Sequence, residues 1–214
     1  MGFVVDVLSS LVATALTVAG GWALSKRLRR SWTALLSRIA GLPVQHVYPR
    51  QEQASDDLAA DLADAQWIRV LAGRGNELTR DTFKRVWAGT TRTRQVVQVL
   101  LPDLRPGPGS WLAKREADVR RVDPGFSPGF LAAQIRANAD YVTAAAGSGS
   151  ASLRFYNLPN RYRVIVTDKV AYLTLYGEAS HGRHSPCIVA RRPTLIYELA
   201  LSLFTMAWEQ SSAS

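Results

Sequence analysis

The first fifty or so residues restrict this chain more than any other part of it. An apolar run from Phe3 to Leu24 carries one charge, Asp6, and is followed at once by Lys26, Arg27, Arg29 and Arg30. A helix over that run is about 33 Å long, enough to cross the hydrocarbon core of a bilayer. A cleaved signal peptide puts its basic residues ahead of a shorter apolar stretch, whereas here only Met1 and Gly2 come first. An ordinary buried core helix is the bland alternative, and the length of the run argues against it. Residues 1–25 are therefore expected to form a transmembrane helix. The basic cluster behind it predicts an outside N-terminus, a single pass through the cell membrane and a cytoplasmic C-terminal body. Myristoylation is set aside because Asp6 stands where Ser or Thr is required.

Charge is distributed to match. The chain has 214 residues, 26 Lys and Arg against 17 Asp and Glu, and a net charge of +9. Lys26, Arg27, Arg29, Arg30, Arg38 and Arg50 have no acidic residue among them, so they supply about six of that +9. Lys26, Arg27, Arg29 and Arg30 fit anionic lipid headgroups beside the anchor, which weakens a nucleic-acid reading of the high net charge. The single cysteine, Cys187, allows no intrachain disulfide, and no Cys/His cluster has metal-site spacing. No cofactor motif is present: Gly73-Arg74-Gly75 is neither a Walker loop nor a dinucleotide fingerprint and reads as a strand-to-helix turn, although its backbone N–H groups could meet an anion.

The organisation read from the sequence is a basic juxtamembrane helix and connector over 26–65, then one domain over 66–214. Within the first part, 31–41 is amphipathic, 44–50 is a connector, and Ser55 to Ala65 is a short helix. Trp67–Leu71 and Gln95–Leu101 read as strands, with a helix capped by Thr79 between them. Helices are expected near 111–122 and 128–146, and a flexible hinge or exposed loop at 147–150. Strands follow at 151–156 and at 162–168, the latter turning at Asp168-Lys169 into a hairpin with 170–176. A short strand at 188–190 and a terminal helix over 193–210 complete the list, the helix bearing Leu195, Leu199, Leu203 and Met206 on one face. Strands alternating with helices, then a hairpin, predict an α/β domain with a mixed sheet flanked by helices.

This order, with the stretch Arg161-Tyr162-Arg163-Val164-Ile165-Val166-Thr167-Asp168, resembles one repeat of the phospholipase D superfamily. That family's motif is H-x-K-x(4)-D on the first strand of the hairpin. Arg161 stands where the family has His, Arg163 where it has Lys, and Asp168 keeps the Asp. The resemblance covers about residues 66–210 and implies a single phospholipase D-like repeat that pairs into a homodimer or a larger homo-oligomer. It also implies that chemistry is lost. The family's His is the nucleophile, and a guanidinium stays protonated and cannot attack phosphorus. Arg161 and Arg163, with Asp168, remain a candidate clamp for a phosphate or carboxylate. The bland reading is a pair of solvated strand-edge charges.

Two functional classes follow. The first is a non-catalytic membrane sensor or effector that binds a phosphate-bearing ligand or a protein partner and signals through its helix. Bacterial regulatory and antiviral-defence membrane effectors have this general make-up. The second is an active phosphodiesterase acting on phospholipid or nucleic acid, which would need His181 or His184 from the loop Ser180 to Pro186 as its imidazole. His46 reads as a surface residue, and the aromatics Phe155, Tyr156, Tyr172, Tyr176 and Trp208 read as core.

Overall fold

The computed structural model describes residues 44–91, 95–105, 110–123, 125–145, 151–159, 161–176 and 182–213. The expected transmembrane run, the basic cluster at 26–30, the 31–41 helix, the 147–150 hinge and His181 lie outside the described residues. Among the described residues, no helix is long and apolar enough to cross a membrane.

Eight strands form one mixed sheet: β1 (His46–Tyr48), β2 (Trp67–Leu71), β3 (Val96–Pro102), β4 (Ala151–Tyr156), β5 (Tyr162–Thr167), β6 (Val170–Leu175), β7 (Cys187–Arg191) and β8 (Ser212–Ala213). Their order is β1-β7-β6-β5-β2-β3-β4-β8. The centre is parallel, β2 with β3 and β3 with β4, while the flanking pairs are antiparallel. The parallel pairs need crossovers, and helices supply them: α2 (Asp81–Trp87) between β2 and β3, then α3 (Trp111–Val122) and α4 (Phe130–Ala145) between β3 and β4. Helix α1 (Ser55–Ala63) precedes β2, and α5 (Leu195–Glu209) follows β7.

Strand periodicity divides the core in two. Ile68, Val70, Val97, Val99, Leu101 and Ile165 face α1–α4, where Leu58, Leu62, Phe83, Leu131 and Ile135 meet them. Leu71, Leu100, Val164 and Val166 point the other way, onto Tyr197, Ala200, Phe204 and Ala207 of α5. The product is a three-layer sandwich, four helices over the sheet and one beneath. It explains why β3 reads VVQVLLP instead of alternating: both its faces are covered.

Three local readings change. Residues 44–50 are more than a connector, because β1 pairs with β7, and Tyr48, Ala54, Leu58 and Leu62 belong to the core. The folded body therefore begins ahead of residue 66. Helix α2 starts at Asp81 with Arg80 as its N-cap; Thr79 does not cap it but donates from Oγ1 to the Asn76 carbonyl at 3.1 Å. In α5 the long aliphatic stripe is the outer one, with Leu195 75%, Leu199 46% and Met206 59% exposed. The smaller stripe of Ala200 and Ala207, spaced by Tyr197 and Phe204, lets the helix lie closer to the twisted sheet. The hairpin reading holds: Thr167 Oγ1 accepts from the N–H groups of Lys169 at 3.2 Å and Val170 at 3.1 Å and closes the turn.

Candidate functional site

The carboxyl end of β2, the start of β5 and the end of β6 open into one cleft of about 360 Å³, roofed by α3 and α4. Clefts at the carboxyl ends of parallel strands are where α/β sheets place ligands, since side chains there are freed from sheet pairing. The loop after β2 must bend sharply to leave that space. Gly75 takes φ +82°, and a Cβ on it would stand 2.9 Å from Leu101 Cδ2. The side-chain amide of Asn138, on α4, donates to the Arg74 carbonyl and to Asn76 Oδ1, both at 2.8 Å, and fixes the loop from above.

Arg163 lies at the floor. In β5 it shares the face of Ile165, so strand parity sends its side chain toward the helices and into the cleft wall. Its side chain is 5% exposed, and Nη1 reaches Oε2 of the equally buried Glu77 at 3.3 Å. Glu77 also accepts from Gln51 Nε2 at 3.0 Å and Thr82 Oγ1 at 2.7 Å, and meets Arg80 Nη1 at 3.5 Å. The Arg163 Nε donor, also buried, makes no hydrogen bond among the described residues. A buried guanidinium is thus tied down by one carboxylate with a donor to spare.

The walls are basic and aromatic. Arg74, Arg80, Arg115, Arg163 and Arg183 line the cleft against the carboxylates of Glu77 and Asp123. Burial lowers the pKa of Arg74, and the positive charge of Arg115 lowers it further. Two guanidiniums held near each other in partial burial favour an anion between them. Arg74 also lies over the Phe126 ring at 5.3 Å, and its Nη1 approaches Gln134 Oε1 at 3.5 Å. Tyr176 closes the side of the cleft. Burial raises its pKa above the phenol range, and the Gly73 backbone hydrogen-bonds it. Gly182 packs on this ring so closely that a Cβ would fall 2.8 Å from Cε1. Tyr176 is therefore a cleft residue, whereas Tyr156 and Tyr172 are core as expected.

The structure does not bring the expected clamp together. Arg163 lines the cleft, but it is already paired with Glu77. Arg161 is exposed and is absent from the lining; its carbonyl accepts from the Tyr176 N–H at 2.8 Å. Asp168 sits at the far end of β5, about 16 Å along the strand from Arg163 at the usual rise per residue, where Oδ1 accepts from the Gln66 N–H at 2.8 Å. His184 is exposed on a short 3-10 turn: Nε2 accepts from Arg183 Nε at 3.1 Å and Nδ1 lies 3.9 Å from Glu52. It does not line the cleft, although its neighbour Arg183 does. His46 packs edge-on against Tyr48 at 4.2 Å. No cluster of His, Cys, Asp and Glu suited to a metal occurs among the described residues.

Sequence reasoning missed Glu77, Gln51 and the aromatic lining. An acidic residue two positions after a Gly-Arg-Gly turn, facing a strand that carries Arg-x-Arg, was the available signal. Trp111, Phe126 and Phe130 gave none, because the helices between β3 and β4 show ordinary core patterns.

No family model matches the sequence, and no curated protein matches it. Among solved structures, the chain is similar to TrmBL2, an archaeal chromatin protein described as showing a novel mode of DNA binding: 16% identity, TM-score 0.48, covering 98% of this chain and 70% of that one. It is similar to Nuc from Salmonella typhimurium, a phospholipase D family member, at 15% identity and TM-score 0.46, covering 75% of this chain and 90% of that one. NucT from Helicobacter pylori matches at 10% identity and TM-score 0.45, over 79% and 96% of the two chains.

Proposed function

We propose that this chain is a membrane-anchored, non-catalytic receptor for a phosphate-bearing anion, built on a single phospholipase D-like repeat. The observation that carries the reading is the floor of the cleft, where a buried Arg163 stands at the strand position of the family's Lys, held by Glu77 beneath a rim of arginines. Such a floor cannot act as nucleophile or as general acid, because a guanidinium does not deprotonate in the working pH range. It can hold an anion by charge-assisted hydrogen bonds. Arg74, Arg115 and Arg183 make the direct contacts, and Arg163 sets the potential beneath them. Self-association and coupling of the bound state to the Phe3–Leu24 helix belong to the same reading and rest on the sequence.

The test is calorimetric titration of inorganic phosphate into the full-length chain in a non-ionic detergent. Binding that weakens at least tenfold in Arg74→Ala with Arg115→Ala supports the receptor; unchanged binding refutes it. The second reading, an active phosphodiesterase, draws on the hydrogen bond between His184 and the cleft residue Arg183. Hydrolysis of bis-p-nitrophenyl phosphate that disappears in His184→Ala or His181→Ala would replace the first reading with this one.

A further inference from the structure

The cleft asks for more than an anion. Beside its arginines it presents the rings of Trp111, Phe126 and Phe130, all on or between the two roofing helices. Phe126 and Phe130 meet edge to face at 5.1 Å, and Phe130 is 45% exposed. Arg74 lies over Phe126 on the same wall and offers a planar guanidinium for stacking. A half-exposed phenylalanine at the mouth of a polar cleft offers a face on which a flat ring can stack. The aliphatic part of the lining is limited to Ala72 and Leu131, so an acyl chain finds no slot. Asp123, which takes the Gly125 N–H at 3.1 Å, and Gln134 Oε1 add acceptors suited to amino or hydroxyl donors. The volume of about 360 Å³ falls at the small end of ligand sites and suits one nucleotide, not a strand.

We infer that the ligand is a nucleoside monophosphate or a group of that chemistry, its base stacked on Phe130 and Arg74 and its phosphate above Arg163. This rests on the anion-receptor reading and adds to it the recognition of a base. The arginine rim addresses the phosphate end, with the buried charge of Arg163 beneath it.

The experiment titrates AMP, GMP, CMP, UMP, ribose 5-phosphate and inorganic phosphate into the full-length chain in a non-ionic detergent. At least one nucleotide is expected to bind about tenfold or more tightly than ribose 5-phosphate, the usual gain from one stacked base. Phe130→Ala, which removes a half-exposed ring and leaves the core intact, should abolish that advantage without changing ribose 5-phosphate affinity. Equal affinity for ribose 5-phosphate and all four nucleotides overturns the base-recognition inference and leaves the anion receptor standing. A nucleotide advantage that survives in Phe130→Ala also overturns the assigned stacking site. Absence of binding by every probe overturns both readings.

Discussion

Replacing Glu77 by Ala tests the floor of the cleft most directly. The carboxylate accepts from Arg163, Gln51 and Thr82 and meets Arg80, and both it and Arg163 are buried. Arg80 is 45% exposed, so water replaces most of what it loses, and its share is about 0–1 kcal/mol. Arg163 has no such recourse: removing the partner of a buried charge costs about 3–5 kcal/mol. For a chain of this size that is a fall in Tm of about 6–20 °C. Arg163→Met is expected to cost less, because Glu77 keeps three donors. In the double variant the buried charge is gone along with its partner, so the losses should fall short of additivity by about 2 kcal/mol. Thermal unfolding of the full-length chain in detergent, followed by tryptophan fluorescence, gives all four corners of the cycle. Added phosphate should recover stability more in Glu77→Ala than in the parent, since the freed guanidinium then gains an anion. Strict additivity of the two single changes, within about 0.5 kcal/mol, would show that Arg163 is not held by Glu77.

Other sites give further expectations. Gly75→Ala combines a left-handed backbone with a Cβ 2.9 Å from Leu101 and should cost about 2–3 kcal/mol in chemical denaturation. Thr194→Ala removes the oxygen that accepts from the Tyr197 N–H at 3.3 Å at the start of α5, for a loss of about 1 kcal/mol. Burial raises the Asp61 pKa above 3.8, against the opposing hydrogen bond from Tyr172. Folding therefore favours its protonated form, an advantage complete below that value and lost as pH rises through the raised one. The stability of the parent minus that of Asp61→Asn should accordingly fall between acid and neutral pH, and a flat difference would contradict it. Gly182→Ala drives a methyl into Tyr176 and should weaken phosphate binding more than it lowers Tm.

The strands at 67–71, 151–156 and the β5–β6 hairpin were legible because short alternating or β-branched and aromatic runs bounded by turn residues have few other uses. The place of Arg163 on the first strand of that hairpin was legible too. Its partner was not: pairing of Glu77 with Arg163 spans most of the domain in sequence, and nothing local announces it. Helix α5 left its buried face undecided for a different reason. It carries two apolar stripes, and helical periodicity cannot tell which of them the sheet will accept. Strand β1 was missed because three residues at an edge have no pattern, and their pairing with β7 is decided by tertiary packing.

The place where the chain enters the sheet gives β1 a mechanical meaning. A pull on the segment before Val44 is borne first by the short β1–β7 ladder, reinforced by the Gln45 N–H to the Val189 carbonyl at 2.8 Å and by Arg191 Nε to Gln45 Oε1 at 2.8 Å. One turn further on, the Gln51 N–H holds the Ser185 carbonyl at 2.9 Å, and the Gln51 side chain holds Glu77. Load applied at the front of the chain thus runs along a single clasp that ends at the carboxylate beneath the cleft. Peeling β1 away would slacken the support of Arg183 and Glu77 together, so the edge strand ties the leading segment to the floor and wall of the cleft.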